Sequence, residues 1–175
     1  MPRINIAHKK QTKLNDCWYA CIQMIKTHKA NGIKCKPIGT GVTAHREAGA
    51  ARGGFWGHAL GKSDTEFNKI MSDNNIRVLG FADMTSLNTI QQCIDIYGPL
   101  IVGGDFGKIA RIRGTNKWLM TGFGHYIVLA GTEATNNILY IHDPWRSHGT
   151  EMPFAKFDQQ VWKGNDQTVI ANKLG

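Results

Sequence analysis

The sequence predicts an α+β fold, with helices first and an antiparallel sheet after them. Three observations predict it. Apolar positions in the first half recur at helical spacing, and from Leu100 onward the chain turns to short apolar runs broken by turn residues. The two kinds of segment do not alternate as β-α units would. At 175 residues this is a single domain, residues 1–175, with a helical lobe over about 1–99 and a sheet lobe over about 100–175. A chain of this size buries about two-thirds of its unfolded surface, so it needs neither a metal nor a disulfide staple.

The first helix follows Asn15-Asp16. Cys17, Ala20, Cys21, Met24 and Ile25 repeat at i, i+3, i+4, i+7 and i+8, the stripe of an amphipathic helix. Asn15 or Asp16 caps it and Asn31-Gly32 stops it. Residues 37–62 are glycine-rich without a period and read as loops. "SDTEFNKIMSDNN" opens with Ser63 and Glu66 in a capping pattern and reads as a short helix. "IRVLGF" is a weak strand. "SLNTIQQCIDIYG" is a helix that starts near Ser86 and closes at Gly98-Pro99. "LIVGGDF", "KWLMTG", "HYIVLAG" and "NILYIHD" are strands, "PFAKFDQQVW" a connector and "QTVIAN" a last strand.

Bulk composition narrows the function classes. Hydrophobic residues at 42% and charged residues at 19% exclude global disorder. No apolar run approaches the roughly 18 residues of a membrane span, and "MPRINIAHKKQ" lacks a signal-peptide core, so the reading expects no membrane partner and a chain soluble as given. The net charge of +8 favours acidic or nucleic-acid-associated partners. It is scattered over Lys9, Lys10, Lys13, Lys34, Lys36, Arg111, Arg113 and Lys117 without a stripe of stacking aromatics, which argues against nucleic-acid binding itself. Cys17, Cys21, Cys35 and Cys93 are too few and too irregular for a disulfide scaffold. With His28, His45, His58, His142 and His148 they match no zinc spacing, so no metal and no cofactor is expected. "GGDFG" lacks phosphate-loop spacing and a following helix. "GGFWGH" reads as a structural turn, with a substrate-facing loop as the alternative, and nothing in the sequence places Asp105 or Trp118.

Four residues carry chemistry together. Cys17 sits in the first turn of its helix, where unpaired N–H groups and the dipole favour a negative, nucleophilic sulfur. Cys21, one turn later on the same face, lacks that end effect and belongs to the core. Gln11, just upstream, is placed to join the Cys17 N–H as a donor to a tetrahedral oxyanion; its plain alternative is a solvated residue among lysines. His125 starts one apolar strand and Asp143 ends the next. A hairpin around "TEATNN" brings them to one rim of the sheet, where a carboxylate fixes the tautomer of a general base. His142, adjacent in a strand, must point to the opposite face and reads as packing or surface.

Taken in order, Gln11, Cys17-Trp18 with Ala20, "GHYIVLAG" and "DPW" resemble the papain-like cysteine peptidases. The resemblance runs from Gln11 to about Trp145. It implies a helical lobe whose central helix begins at the nucleophile Cys17, a sheet lobe bearing the base His125, orientation of that base by Asp143, and an oxyanion donor in Gln11. It also implies substrate contact at Trp18 and Trp145, with Trp145 shielding the His–Asp hydrogen bond from water. The orienting residue is aspartate where plant and lysosomal members carry asparagine. The short chain, without propeptide or disulfides, looks more like the compact bacterial branch: injected effector proteases, toxin domains used against rivals, and bacteriocin-leader peptidases. "YGPLIVGGDF" is similar to the effector members.

The function expected is therefore a cysteine endopeptidase, a hydrolase that cuts proteins of a target cell. It is expected to be exported by a specialised secretion system, to act in the target cytoplasm, and to be held by a cognate immunity protein in its producer. A nucleic-acid-associated protein fits the basic charge as target. The alternatives on the same scaffold are a peptidoglycan amidase or endopeptidase, which typically has "DCSG" at the helix start, a leader-peptide-processing peptidase, and an inactive leader-binding module. Acyltransferases and transglutaminases share the thiolate logic.

Overall fold

A computed structural model describes residues 3–11, 17–26, 76–79, 84–108, 121–146, 148–163 and 169–172. Among these, the elements in chain order are α1 (Cys17–Lys26), β1 (Ile76–Val78), α2 (Leu87–Tyr97), β2 (Leu100–Lys108), β3 (Thr121–Glu133), β4 (Ile138–His142), β5 (Thr150–Pro153), α3 (Phe154–Gln160) and β6 (Val169–Asn172). The six strands form one antiparallel sheet in the order β1-β6-β2-β3-β4-β5. Helices and an antiparallel sheet make the fold α+β, as the sequence predicts.

The alternation of strand side chains gives the sheet two buried faces. Leu100, Val102, Ile127 and Leu129 turn toward α2, meeting its Leu87, Ile90 and Ile94; Phe157 of α3 joins them and stacks on Phe106 at 5.7 Å. Ile101, Tyr126, Val128 and Ala130 turn the other way, onto Cys21, Ile22, Met24 and Ile25 of α1. Both strands thus read as continuous apolar runs because neither face sees water.

Local chemistry sets the ends of α2. Ser86 caps it, accepting from the Thr89 N–H at 3.1 Å, and Gly98 closes it at φ 75°. The β3–β4 hairpin turns over 134–137, with Asn137 at φ 55°. Its register slips between Leu129 and Gly131, where Gly131 takes φ 156°. The extra residue of this bulge, Ala130, turns its carbonyl to the N–H of Ile4 at 2.8 Å, which pins the irregular strap 3–11 on the sheet.

Three expectations change. Residues 153–162 are not a plain connector: Phe154, Phe157 and Val161 share a face, and α3 forms there without a side-chain cap to announce it. β3 starts at Thr121, so His125 lies inside the strand; pairing to β2 through irregular register at Gly107 and Lys108 extends it across a stretch with poor strand signals. β1, from the N-terminal half, is an edge of the sheet through its pairing with β6. The caps Asn15 and Asp16, the stop at Asn31-Gly32, the glycine-rich stretch with "GGFWGH", the helix expected at Ser63, the "KWLM" part of its expected strand, Arg111, Arg113, Lys117, Trp118, Lys13, Lys34, Lys36, Cys35, His28, His45 and His58 lie outside the described residues.

Candidate active site

Cys17 is the first residue of α1 and only 7% exposed. Cys21, one turn on, is fully buried and donates its S–H to the Tyr126 carbonyl at 3.3 Å. Burial, then the nearby Cys17 and Asp143, push its thiol well above the usual range. Of two cysteines on one helix face, Cys21 is therefore held as a neutral core group, while Cys17 reaches the imidazole of His125.

The hairpin register explains how Asp143 meets that imidazole. Val128 pairs with His142, so Asp143, one residue past the end of β4, stands level with Ile127. Its side chain shares the face of Ile127 and His125, and the carboxylate crosses the ladder diagonally. The Nε2–H of His125 donates to Asp143 Oδ1 at 2.8 Å. That leaves Nδ1 as the nitrogen for the Cys17 side chain. Asp143 Oδ1 also accepts from the Trp145 N–H at 2.9 Å, and Arg146 Nε lies 3.6 Å from Oδ2. The Trp145 ring leans on the imidazole at 5.5 Å and 53°.

The electrostatics follow from these contacts. Burial pulls His125 down, but the hydrogen bond to Asp143 and the Cys17 side chain outweigh it, and its pKa rises to about 9. For Asp143, burial pulls upward, while the bonds from His125 and from the Trp145 N–H hold the carboxyl below its ordinary value. The pair is thus an imidazolium and a carboxylate at neutral pH.

Gln11 is the last described residue of the strap. Its backbone N–H donates to the Pro144 carbonyl at 2.9 Å, one residue past Asp143, and its side-chain oxygen is buried. The structure thus ties Gln11 to the loop that carries the orienting carboxylate of Asp143. Trp18 is only 8% exposed, edge-on to Tyr19 among the α1-side core. A cavity of about 340 Å³ opens beside His125 and Asp143, with an apolar floor of Phe106, Ile127, Ile141 and Met152 and with Arg146 and Lys156 at its edge.

Sequence reasoning missed two features here. Trp162 lies across Gly103 and Gly124, where a Cβ would stand 2.6 Å from its ring, and its indole N–H donates to Asp105 at 3.1 Å. The paired glycines of "VGGDF" were the available signal, since glycine within a strand marks close approach. The second is a contact: His142, packed in the interior as one of the two expected readings had it, touches His8. It does face away from Asp143's side, with Val128. Among the described residues no three His, Cys, Asp or Glu side chains cluster as a metal site would.

A family model described as papain-like cysteine protease AvrRpt2 matches residues 2–162. The chain belongs to this family. It is a cysteine peptidase, a hydrolase whose substrate is protein, and the match spans every residue of the site just described. The AvrRpt2 family takes its name from a bacterial effector protease. Comparison with curated proteins finds no match. No helix among the described residues of this peptidase is long and apolar enough to cross a membrane.

Proposed function

We propose that this peptidase cuts peptide bonds in proteins of a target cell with a Cys17–His125–Asp143 triad, after delivery by a specialised secretion system. The observation that carries the triad is the two-sided use of one imidazole: Nε2 on Asp143 at 2.8 Å, and the other nitrogen left for Cys17. A protonated His125 stabilises a negative sulfur beside it. That sulfur attacks the scissile carbonyl, and the carbon–sulfur bond forms as the carbonyl oxygen takes the negative charge. The Cys17 N–H and the Gln11 side chain donate to that oxygen. His125 then gives its proton to the leaving amine. In the second half, neutral His125 takes a proton from water, hydroxide attacks the thioester, and Cys17 leaves. Asp143 holds the imidazole in the tautomer this sequence needs. Trp145 walls the cleft beside His125, and Trp18, next to the nucleophile in sequence, offers substrate only its 8% exposed surface.

The family name supports delivery into another cell. A peptidase made without harm to its producer needs restraint there, which a cognate immunity protein supplies. The test compares cells that express the parent or Cys17→Ala. Protein fragments found by mass spectrometry only with the parent are expected. Equal fragment patterns from both would rule out Cys17 as nucleophile. Cell-wall digestion by the parent with no protein fragments would move the activity to peptidoglycan. Rescue of cell growth by a neighbouring gene tests the immunity partner.

A further inference from the structure

The strap 3–11 has no ladder of its own, yet it carries Gln11. It is fastened at Ile4 to the Ala130 carbonyl and at Gln11 to the Pro144 carbonyl, with Arg3 over the Tyr140 ring at 5.4 Å. Between these, His8 makes two contacts with one ring. Its Nε2 lies 2.8 Å from the Arg146 carbonyl, and its Nδ1 lies 3.2 Å from His142 Nδ1.

With both rings neutral, hydrogen-bond chemistry assigns the protons. A carbonyl only accepts, so His8 Nε2 carries the hydrogen. The Nδ1 of a neutral His8 then accepts, and His142 Nδ1–H donates. This leaves a bare Nε2 on His142, buried and without a hydrogen-bond partner among the described residues. Gly149 makes that arrangement fit: a Cβ there would stand 2.9 Å from His142 Nε2 and 2.5 Å from an Arg3 nitrogen. Burial first, then the charge of His8, Arg3 and His148, lower the pKa of His142 to about 4. The neutral form is the one the clamp requires.

We propose that His8 is a positioning residue for acyl transfer: one imidazole, donating to the Arg146 carbonyl and accepting from His142, locks the strap bearing Gln11 to the loop bearing Asp143. The inference rests on the roles given to Gln11 and Cys17 above. His142 and Arg146 flank Asp143 at either side in sequence, so His8 grips the loop on both sides of the orienting carboxylate. An oxyanion donor displaced by an ångström loses most of its effect.

Two reactions of Cys17 separate this role from a structural one. Acylation by p-nitrophenyl acetate passes through an oxyanion, whereas alkylation by iodoacetamide does not. Both rates are measured on the parent, His8→Phe and His8→Gln, each corrected by Cys17→Ala. In His8→Phe, acylation is expected to fall about tenfold and alkylation to stay within about twofold. His8→Gln keeps a donor and an acceptor on one planar group and is expected to restore acylation. An equal fall of both rates, no fall at all, or no recovery of acylation in His8→Gln overturns the proposal. A parent acylated no faster than Cys17→Ala would instead remove the nucleophile assignment itself.

Discussion

Asp143 reaches His125 diagonally across the β3–β4 ladder, from one residue beyond the strand end, with Oδ1 2.8 Å from Nε2. The hydrogen bond to Asp143, then the Cys17 side chain and the Asp143 charge, outweigh burial and raise the pKa of His125 to about 9. Because the folded pKa lies above the ordinary 6.5, the imidazolium is fully present below 6.5 and is lost as pH rises through about 9. Peptidase activity is expected to fall on that alkaline limb. Asp143→Asn keeps an acceptor and removes the charge, so the limb should move toward lower pH with a loss of about tenfold at neutral pH; Asp143→Ala should lose on the order of 100-fold. A pH–rate profile of Asp143→Asn that superimposes on the parent would show that the charge does no work.

Cys17 and Cys21 share a helix face and differ in chemistry. Cys21 is fully buried, bonded to the Tyr126 carbonyl, and pushed well above the usual thiol range by burial. Iodoacetamide near neutral pH is expected to modify Cys17 and leave Cys21 unmodified in the folded chain, as read by peptide mass mapping. Cys21→Ala should retain activity while losing roughly 1–2 kcal/mol of stability from the cavity left behind.

His142 makes the fold acid-sensitive apart from the reaction. Its folded pKa, about 4, lies below the ordinary 6.5, so the unfolded chain binds a proton that the folded chain refuses. Stability should therefore fall as pH drops from about 6.5 toward about 4, by on the order of 2–3 kcal/mol for this one group. Melting temperatures across that range check it. His142→Leu should flatten the slope, even if it lowers the plateau.

How far the sequence could be read depended on whether a feature is local. Ser86 and Gly98 cap α2 with contacts to near neighbours, so both ends of that helix were legible. The hairpin that joins His125 to Asp143 was legible for the same reason, because turn chemistry and alternation are local signals. α3 was missed because its helix carries no cap and rests on tertiary contact with Phe106. The His8–His142 contact joins positions 134 apart, through a bulge at Gly131 that turns the Ala130 carbonyl outward. No pattern along the chain encodes such a meeting.

Gln91 joins α2 to the sheet through one buried oxygen. Its Oε1 accepts both the N–H and the hydroxyl of Thr132 at 2.9 Å, while its Nε2 donates to Asp95 at 2.7 Å. Gln91→Leu fills the space and strands two buried donors. The expected cost is about 1–3 kcal/mol. Urea unfolding should show it as a lower midpoint with unchanged slope. Gln91→Leu combined with Thr132→Val should recover part of the loss, since the second change removes one of the stranded donors.

Gly104 stands opposite His125 in the β2–β3 ladder and forms a bridge to Val161. A Cβ at this position would lie 2.5 Å from the Gln160 carbonyl and 2.5 Å from the Phe106 ring. The ring can turn, but the carbonyl belongs to the end of α3 and cannot yield without moving the helix. Gly104→Ala is therefore expected to destabilise by roughly 2–3 kcal/mol, an overpacking cost. Because the displaced strand is the one that backs His125, activity should fall further than stability alone accounts for. That excess is measured as the loss of kcat at a temperature where the variant is still fully folded by circular dichroism. A Gly104→Ala peptidase with normal kcat under those conditions would show that β2 does not set the position of the imidazole.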